Sequence, residues 1–310
     1  MGRNTLQNQI KHTLCEKSRI GESRHTAKNE LKERMGEDYR FGMSTEGIHS
    51  IKTFDMYKEH CNRFANWCIE QKGISKYTKL EDIKQYATEY LKQREEKGLS
   101  LYTLKSEKSA LGKLFGETID YKFEKPRTTK NITRSRNEVK NDKHFSVEKN
   151  RDLVDIAKAT GGRREDIEKL TKDCFFTDKN GQMWVEFKGS KGGRDRIAPV
   201  LPEYQTRIQM ILETRATNKP LFDTVHGACD IHGYRREYAK ELYKNVCNDT
   251  EFKKSILNEY PPRNEPNIKS NTYHSHDKEN QFKGDRDNIY IVSEALGHNR
   301  LEVSVNHYLK

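Results

Sequence analysis

Long apolar runs are missing from this sequence. No stretch is hydrophobic over the length needed to cross a bilayer, and the first residues lack the apolar segment of a secretion signal. The six cysteines are scattered, with no Cys-X-X-Cys pair and no cluster with histidine at zinc-finger spacing. We therefore expect a cytoplasmic protein with reduced thiols, no metal site, no cofactor and no membrane partner.

Acidic residues are too few to balance the basic ones. The 58 lysines and arginines exceed the 47 aspartates and glutamates, which gives a formal net charge of +11. This excess favours a polyanionic partner, with nucleic acid as the leading candidate, although a solvated charged surface explains charge alone equally well. With 34% charged and 33% hydrophobic residues, we expect two small cores rather than one large core.

Apolar residues recur at helical spacing through the first third of the chain. Leu6, Ile10 and Leu14 predict one or two short helices in an N-terminal extension, residues 1–46, which could contact DNA. Residues 47–118 carry three stronger amphipathic patterns, the first of them capped by Thr53. They predict a small helical domain.

The segment 119–143 is interpreted as a basic linker. Between 121 and 143, eight lysines and arginines stand against three acidic residues, and apolar residues are sparse. An extended basic strap can lie along a duplex and neutralise phosphates. A flexible charged linker without contacts is a fair alternative.

The second half combines helical patterns with one β-hairpin. Helices are predicted on both sides of Thr160-Gly161-Gly162 and over 202–215, 231–247, 289–296 and 301–308. Alternating apolar residues flank the Gly-rich turn at 188–195 and predict the hairpin. The stretch 248–288 is poorly periodic and is interpreted as an inserted loop in a domain spanning 144–310. The expected fold class is α+β, mainly α with a small antiparallel sheet.

Four basic side chains of this half suit phosphoryl chemistry without a metal. Arg163 follows two glycines at a helix junction, where a guanidinium and free backbone N–H groups can meet an anion. Lys191 lies at the hairpin tip, where glycines allow close approach to a sugar-phosphate backbone. His232 and Arg235 are three positions apart and share a helix face. Each is also explained, taken alone, as an ordinary surface residue.

The end of the chain supplies a candidate nucleophile. His298 follows a Leu-Gly turn, and Tyr308 stands two positions before the last residue. A phenol is almost wholly protonated at neutral pH and attacks poorly. Its use as a nucleophile therefore requires a base and positive charge around the group attacked.

Together and in this order, these segments resemble the tyrosine recombinase (phage integrase) family. The resemblance is carried by Thr160-Gly161-Gly162-Arg163, the hairpin sequence from Ser190 to Val200, His232-Gly233-Tyr234-Arg235, Leu296-Gly297-His298 and Asn306-His307-Tyr308-Leu309. It covers 145–310 in motif detail, whereas 47–118 resembles the family's SAM-like core-binding domain in pattern and position only. Such a pair of domains implies a C-shaped DNA clamp.

The resemblance also implies a reaction. Tyr308 would attack a DNA phosphorus, forming a 3′-phosphotyrosyl bond and releasing a 5′-hydroxyl that later attacks a second phosphotyrosine. Arg163 and Arg235 would clamp the non-bridging oxygens. His232 would orient or deprotonate the phenol, and Lys191 would protonate the leaving oxygen. Neither a metal nor ATP is then required.

Supporting and DNA-contacting residues follow from the same resemblance. His298 would donate a hydrogen bond to the phosphate, and Asp166 would support the arginines. Contacts to DNA are expected from basic residues of the linker and hairpin: Lys125, Arg127, Lys130, Arg134, Arg136, Arg194 and Arg196.

The function implied is that of a site-specific recombinase. It would integrate, excise or invert a DNA segment, such as a mobile genetic element, as a homotetramer on two double-stranded sites with an accessory DNA-bending or directionality factor. Two other functions stay open. A type IB topoisomerase-like enzyme shares the catalytic group, and a non-cleaving DNA-binding regulator could descend from a recombinase.

The sequence departs from the family pattern in two places. Ten positions separate His298 from Tyr308, one more than the family usually shows. Either a loop before the last helix absorbs the extra residue, or His307 occupies the expected place. The gap from Arg235 to His298 is also longer than a compact member requires, and 248–288 is expected to be a tolerated surface insertion rather than a DNA or partner contact.

Overall fold

The computed structural model divides the chain into two compact units, 1–131 and 132–310. It describes residues 4–40, 43–124, 138–190, 194–265, 270–275, 281–298 and 300–310, with Arg194 described in its backbone alone. The predicted fold class, mainly α with a small antiparallel sheet, is confirmed. The clamp shape stays a prediction.

The described residues of the first unit form six α-helices. They are α1 (Leu6–Glu16), α2 (Arg24–Met35), α3 (Ile51–Lys72), α4 (Leu80–Ile83), α5 (Ala87–Glu96) and α6 (Leu101–Phe115). The expected cap at Thr53 is wrong. Helix α3 begins three residues earlier because the Ser50 side chain accepts a hydrogen bond from the Thr53 N–H.

The N-terminal extension is not separate from the helical domain that follows it. Leu6, Ile10 and Leu14 of α1 are fully buried in one core with Phe64 of α3 and Leu111 of α6. One short amphipathic helix cannot bury its own apolar stripe, so α1 completes the packing of the larger helices. Helix α2, in contrast, buries none of its side chains.

A buried carboxylate joins three helices of this unit. Glu107 of α6 is 0% exposed and accepts two hydrogen bonds from Arg94 of α5, of 2.7 and 3.1 Å. Arg63 of α3 donates a third, of 3.1 Å. Two guanidinium groups therefore compensate a charge that would be costly to bury alone.

The second unit begins its described part at Glu138. Its elements are α7 (Arg151–Thr160), α8 (Arg164–Glu168), β1 (Phe175–Thr177), β2 (Met183–Ser190), β3 (Arg194–Pro199), α9 (Gln205–Glu213), α10 (Ile231–Asn248), α11 (Thr250–Glu259), β4 (Thr272–His274), β5 (Lys283–Asp285), α12 (Arg286–Ala295), α13 (Leu301–Ser304) and a π-helical turn, Val305–Leu309.

A three-stranded antiparallel sheet, in the order β1-β2-β3, borders the helical core. The predicted hairpin is its β2-β3 pair, in which Trp184 lies opposite Pro199 and Phe187 opposite Arg196. Trp184 and Phe187 point into the core, against which α7, α10 and α12 also pack. The hairpin is thereby fixed at its base beside the helices that carry the predicted site.

The interpretation of 248–288 as a loop is wrong. Helix α11 and the β4-β5 hairpin lie within it, and Ile256, Tyr260 and Tyr273 belong to the buried core of the unit. The β4-β5 hairpin could not be recognised from the sequence because its strands have three residues each, too few to show an alternating pattern. Whether the segment is an insertion relative to the family stays a prediction.

No helix in the described ranges is long and apolar enough to span a lipid bilayer.

Removal of Glu107 tests the carboxylate that joins α3, α5 and α6. We expect Glu107→Ala to lower the unfolding free energy of the first unit by about 3 kcal/mol, because Arg94 loses its partner in a partly buried setting. Hydrogen exchange of the α3 and α6 amides measures this unit within the whole chain.

Glu59→Ala is the matched control. Glu59 pairs with Arg63 as Glu107 does, but its side chain is 69% exposed, so the expected loss is below about 1 kcal/mol. Equal losses in the two variants would contradict the role assigned to Glu107.

Candidate active site

A sharp turn between α7 and α8 places Arg163. Gly161 ends α7 with a φ of +60°, and a side chain there would overlap the ring of Tyr238. A Cβ on Gly162 would lie 2.9 Å from the Ile167 side chain. Only glycines therefore fit this turn, which brings Arg163 to the first position before α8, where its N–H donates to Asp166 Oδ2 at 2.9 Å.

Arg235 lies on α10 and is completely buried. The Asp230 side chain caps the start of this helix by accepting from the Gly233 N–H at 3.0 Å. Arg235 donates to the Gly161 carbonyl, to the Leu296 carbonyl at 2.5 Å and, through Nε, to the Tyr308 hydroxyl at 3.3 Å. One guanidinium thus connects the Arg163 turn, the end of α12 and the candidate nucleophile.

The C-terminal end of α12 is the common anchor of the arginines. The last carbonyls of a helix have no partner within it and carry partial negative charge. Here the Leu296 carbonyl accepts from both Arg163, at 3.0 Å, and Arg235. The Ala295 carbonyl accepts from Arg196 at 2.7 Å.

Asp166 supports one of the two predicted catalytic arginines. Its Oδ1 accepts from the Ser190 hydroxyl at 2.8 Å, and that hydroxyl accepts from Arg163 Nη1 at 2.9 Å. Its Oδ2 accepts from Arg196 at 2.7 Å, whereas Arg163 Nη1 lies 3.8 Å away. Asp166 thus contacts Arg163 and Arg196, directly or through Ser190. Arg235 donates instead to two carbonyl oxygens and to the Tyr308 hydroxyl.

Arg196 corrects an expectation of the sequence. It was predicted to contact DNA, but its side chain is only 7% exposed, and its guanidinium carbon lies 3.9 Å from the centre of the Phe187 ring. Its position on β3 turns it towards the core, where Asp166 and Ala295 hold it. The described hydrogen bonds of its guanidinium therefore go to protein groups.

The site carries more positive than negative charge. Three guanidinium groups, of Arg163, Arg196 and Arg235, meet at the end of α12, and the carboxylate of Asp166 contacts only the first two. Burial and the charge of Arg235 lower the pKa of Arg163, and they lower that of Arg196 to about 10. Burial alone would raise the pKa of Asp166, but Arg196 and two hydrogen bonds hold it below its usual value. The excess charge makes this pocket suited to an oxyanion.

Tyr308 reaches the arginines from a π-helical turn. The Lys310 N–H donates to the Val305 carbonyl, five residues back, at 3.2 Å. A π turn holds one residue more than an α turn. Whether this turn or a loop before α13 takes up the extra position between His298 and Tyr308 stays a prediction. The alternative residue, His307, is exposed, whereas Tyr308 contacts Arg235.

His298 lies beside the tyrosine. Their ring centres are 5.3 Å apart, and His298 Nδ1 lies 3.1 Å from the Ser304 hydroxyl. Burial, followed by the charges of Arg235 and Arg163, lowers the pKa of His298 to about 3. The ring is therefore neutral, and when Nδ1 accepts from Ser304 its Nε2–H is a donor for an anion.

The remaining predicted residues are not brought into this cluster by the described contacts. His232 lies in the first turn of α10, three residues before Arg235, and is exposed. The side chains of Lys191 and Arg194 lie outside the described residues, as do Lys125, Arg127, Lys130, Arg134 and Arg136. Their assignments stay predictions.

Within the described residues, no group of histidine, cysteine, aspartate or glutamate is arranged to hold a metal ion. The anion-binding charge of this site comes from arginine.

Comparison with solved structures bears on the arrangement as a whole. The chain is similar to the XerH site-specific recombinase bound to palindromic difH substrate in a post-cleavage complex, with 15% identity and a TM-score of 0.52 over 100% of this chain and 94% of that one. The XerH pre-cleavage complex with difH gives 15% identity and a TM-score of 0.50 over 99% and 94%. This chain has a tyrosine recombinase fold. No protein-family model matches the sequence, and no curated protein matches it.

Some of the groups that support this site were not recognised from the sequence. Ser190 and Arg196 both belong to the predicted hairpin, but alternation alone does not say which face of a short strand is buried. The Ala295 and Leu296 carbonyls are backbone groups without a residue signature. A helix end next to Gly297 is the only signal that could have indicated them.

The neutral state of His298 predicts a pH dependence. Its folded pKa of about 3 lies below the ordinary value of 6.5, so the unfolded chain binds the proton more readily. Stability is therefore lost as pH falls from 6.5 towards 3, by at most about 1.4 kcal/mol per pH unit from this residue. Urea unfolding of wild type and His298→Asn between about pH 4 and pH 6 measures it.

The variant lacks the imidazole and is expected to show the shallower pH slope. If both proteins lose stability equally as pH falls, His298 is not held neutral by its surroundings.

Proposed function

We propose that this protein is a site-specific DNA recombinase that cuts and rejoins DNA through a 3′-phosphotyrosyl bond to Tyr308. The proposal depends above all on one observation. The Tyr308 hydroxyl accepts a hydrogen bond from the buried Arg235, which lies beside Arg163 and Arg196 in a cluster with more positive than negative charge. A phenol in that position has both an activating donor and an electrostatic site for the group it would attack.

Arg163 and Arg235 would bind the two non-bridging oxygens of the scissile phosphate. Both guanidinium groups are anchored by the Leu296 carbonyl, so neither has to reorganise when negative charge accumulates in the pentavalent transition state. The neutral His298 would add a hydrogen bond from Nε2. This fixed charge supports phosphoryl transfer in which arginine side chains stabilise the developing negative charge, as metal ions do in many phosphoryl-transfer enzymes.

Cleavage exchanges one phosphodiester for another. The Tyr308 oxygen forms a bond to phosphorus as the bond to the 5′ oxygen breaks, and the phenolic proton passes to His232 or solvent. Lys191 would supply a proton to the 5′ oxygen. Rejoining reverses these steps with a 5′-hydroxyl from the same or another strand, so no energy source is consumed.

The substrate we propose is double-stranded DNA, bound by a homotetramer at two sites. The XerH structures, whose fold this chain shares, are described as bound to difH substrate. A net charge of +11 is favourable for binding along a phosphate backbone. The proposed assembly also includes an accessory DNA-bending or directionality factor.

A relaxing topoisomerase and a non-cleaving regulator remain the alternatives. A topoisomerase would relax a supercoiled plasmid without exchanging strands between two duplexes. A regulator would form no covalent bond at all, although the Arg235 contact to Tyr308 has no evident use in a protein that only binds DNA.

A nicked duplex that loses a short strand after cleavage traps the covalent intermediate. We expect the wild type to form a protein–DNA adduct that survives denaturing electrophoresis and Tyr308→Phe to form none, because phenylalanine lacks the attacking oxygen. Arg235→Lys should lower the cleavage rate by about 100-fold or more, since it loses two of three directed hydrogen bonds.

Tyr77→Phe is the control, because Tyr77 is an exposed phenol of the first unit. It should cleave as the wild type does. An adduct that persists in Tyr308→Phe would rule out Tyr308 as the nucleophile. If the wild type forms no adduct on its cognate DNA, the proposal that the protein is an enzyme is contradicted.

A further inference from the structure

Arg196 is a buried cation to which the proposed reaction assigns no task. It lies on β3 directly opposite Phe187 of β2, with its guanidinium against the phenylalanine ring. Two hydrogen bonds of 2.7 Å bind it to Asp166 and to the Ala295 carbonyl. A cation so deeply buried costs stability unless it is well paired, so its presence calls for a reason beyond packing.

Both partners of Arg196 also position a proposed catalytic residue. Asp166 accepts from the Arg163 N–H and, through Ser190, from the Arg163 guanidinium. Ala295 precedes Leu296, whose carbonyl accepts from Arg163 and Arg235. Arg196 therefore connects the two supports on which the arginine pair depends.

The chain after α12 is shaped around Arg196. Gly297 has a φ of +61°, and a Cβ there would lie 2.7 Å from Arg196 Cδ and 3.8 Å from Arg163 Nη1. A glycine is thus required for the backbone to pass over both guanidinium groups.

The distances around Asp166 reveal a competition between two arginines. Asp166 Oδ2 is 2.7 Å from Arg196 Nη2 but 3.8 Å from Arg163 Nη1. Arg196 occupies the carboxylate that would otherwise pair closely with Arg163. The Arg163 guanidinium keeps much of its charge available for another anion.

We propose that Arg196 is a positioning residue for strand cleavage, which neutralises Asp166 and fixes the end of α12 so that Arg163 is directed to the scissile phosphate. This role rests on the proposed function. Arg196 makes no contact with DNA. Its loss would let Asp166 capture Arg163 and withdraw it from the substrate.

The experiment compares single-turnover cleavage of the nicked duplex with DNA affinity, using the full chain. Arg196→Met should lower the cleavage rate constant by about 100-fold while affinity changes less than about 2-fold. Arg196→Lys keeps a charge near Asp166 but loses the fork that also binds Ala295, so its rate should be intermediate.

A second substitution separates charge competition from simple loss of packing. Adding Asp166→Asn to Arg196→Met removes the carboxylate that would capture Arg163, and we expect at least a tenfold recovery of rate over the single variant. A purely structural role gives no recovery, because the double variant loses still more contacts. Arg207→Met is the matched control, since Arg207 pairs with Asp152 and Asp155 away from the site and its loss should leave cleavage unchanged.

Three results would overturn the inference. They are an unchanged rate in Arg196→Met, a fall in DNA affinity that accounts for the whole loss of rate, and no recovery in the double variant. If Arg196→Met fails to fold, Arg196→Lys alone and with Asp166→Asn decides the matter by the same comparison. A wild type that forms no adduct overturns the proposed function as well, whereas a wild-type adduct with unimpaired Arg196 variants overturns only the role of Arg196.

Discussion

Burying three guanidinium groups side by side is the constraint around which the second unit is organised. Like charges at short range in a dry pocket repel one another, and each guanidinium also loses its hydration. The structure offsets this with the free carbonyls at the end of α12 and one carboxylate, Asp166. The last turn of α12 is thus as important to the site as the arginines themselves.

Several local features follow from that constraint. The glycines at 161, 162 and 297 let backbone approach where side chains would collide with Tyr238, Ile167 or Arg196. The Ser190 hydroxyl accepts a hydrogen bond from Arg163 and donates one to Asp166. His298 is kept neutral because a further cation would add to the repulsion among the arginines. The remaining excess of positive charge is the part that a phosphodiester would neutralise, so a pocket costly to the free protein is favourable to the complex.

The types of residue and their order in the sequence indicated much of the architecture. They indicated few of the groups that hold the site residues in place. Arg163, Arg235, His298 and Tyr308 could be singled out because each stands in a short segment with a recognisable neighbour. The structure connects these four through the Leu296 carbonyl, the Arg235–Tyr308 hydrogen bond and the His298–Tyr308 ring contact. Arg196 was misassigned because basic hairpins are common in DNA-binding proteins and burial depends on which face of β3 meets the core. The π turn at Tyr308 and the β4-β5 hairpin left no periodic signal, since a five-residue turn and three-residue strands are too short to show one. Helix α11 did leave one, because Phe252, Ile256 and Tyr260 recur every fourth position.

The account is tested most directly by a structure of the Tyr308→Phe chain with its uncleaved target DNA. We expect the scissile phosphate in the pocket, its non-bridging oxygens within hydrogen-bond reach of Arg163 and Arg235, and the residue 308 ring facing the phosphorus opposite the 5′ oxygen. Arg196 should remain bound to Asp166 and Ala295 without touching DNA. A phosphate lying elsewhere, with the three arginines unoccupied by the substrate, would contradict the account.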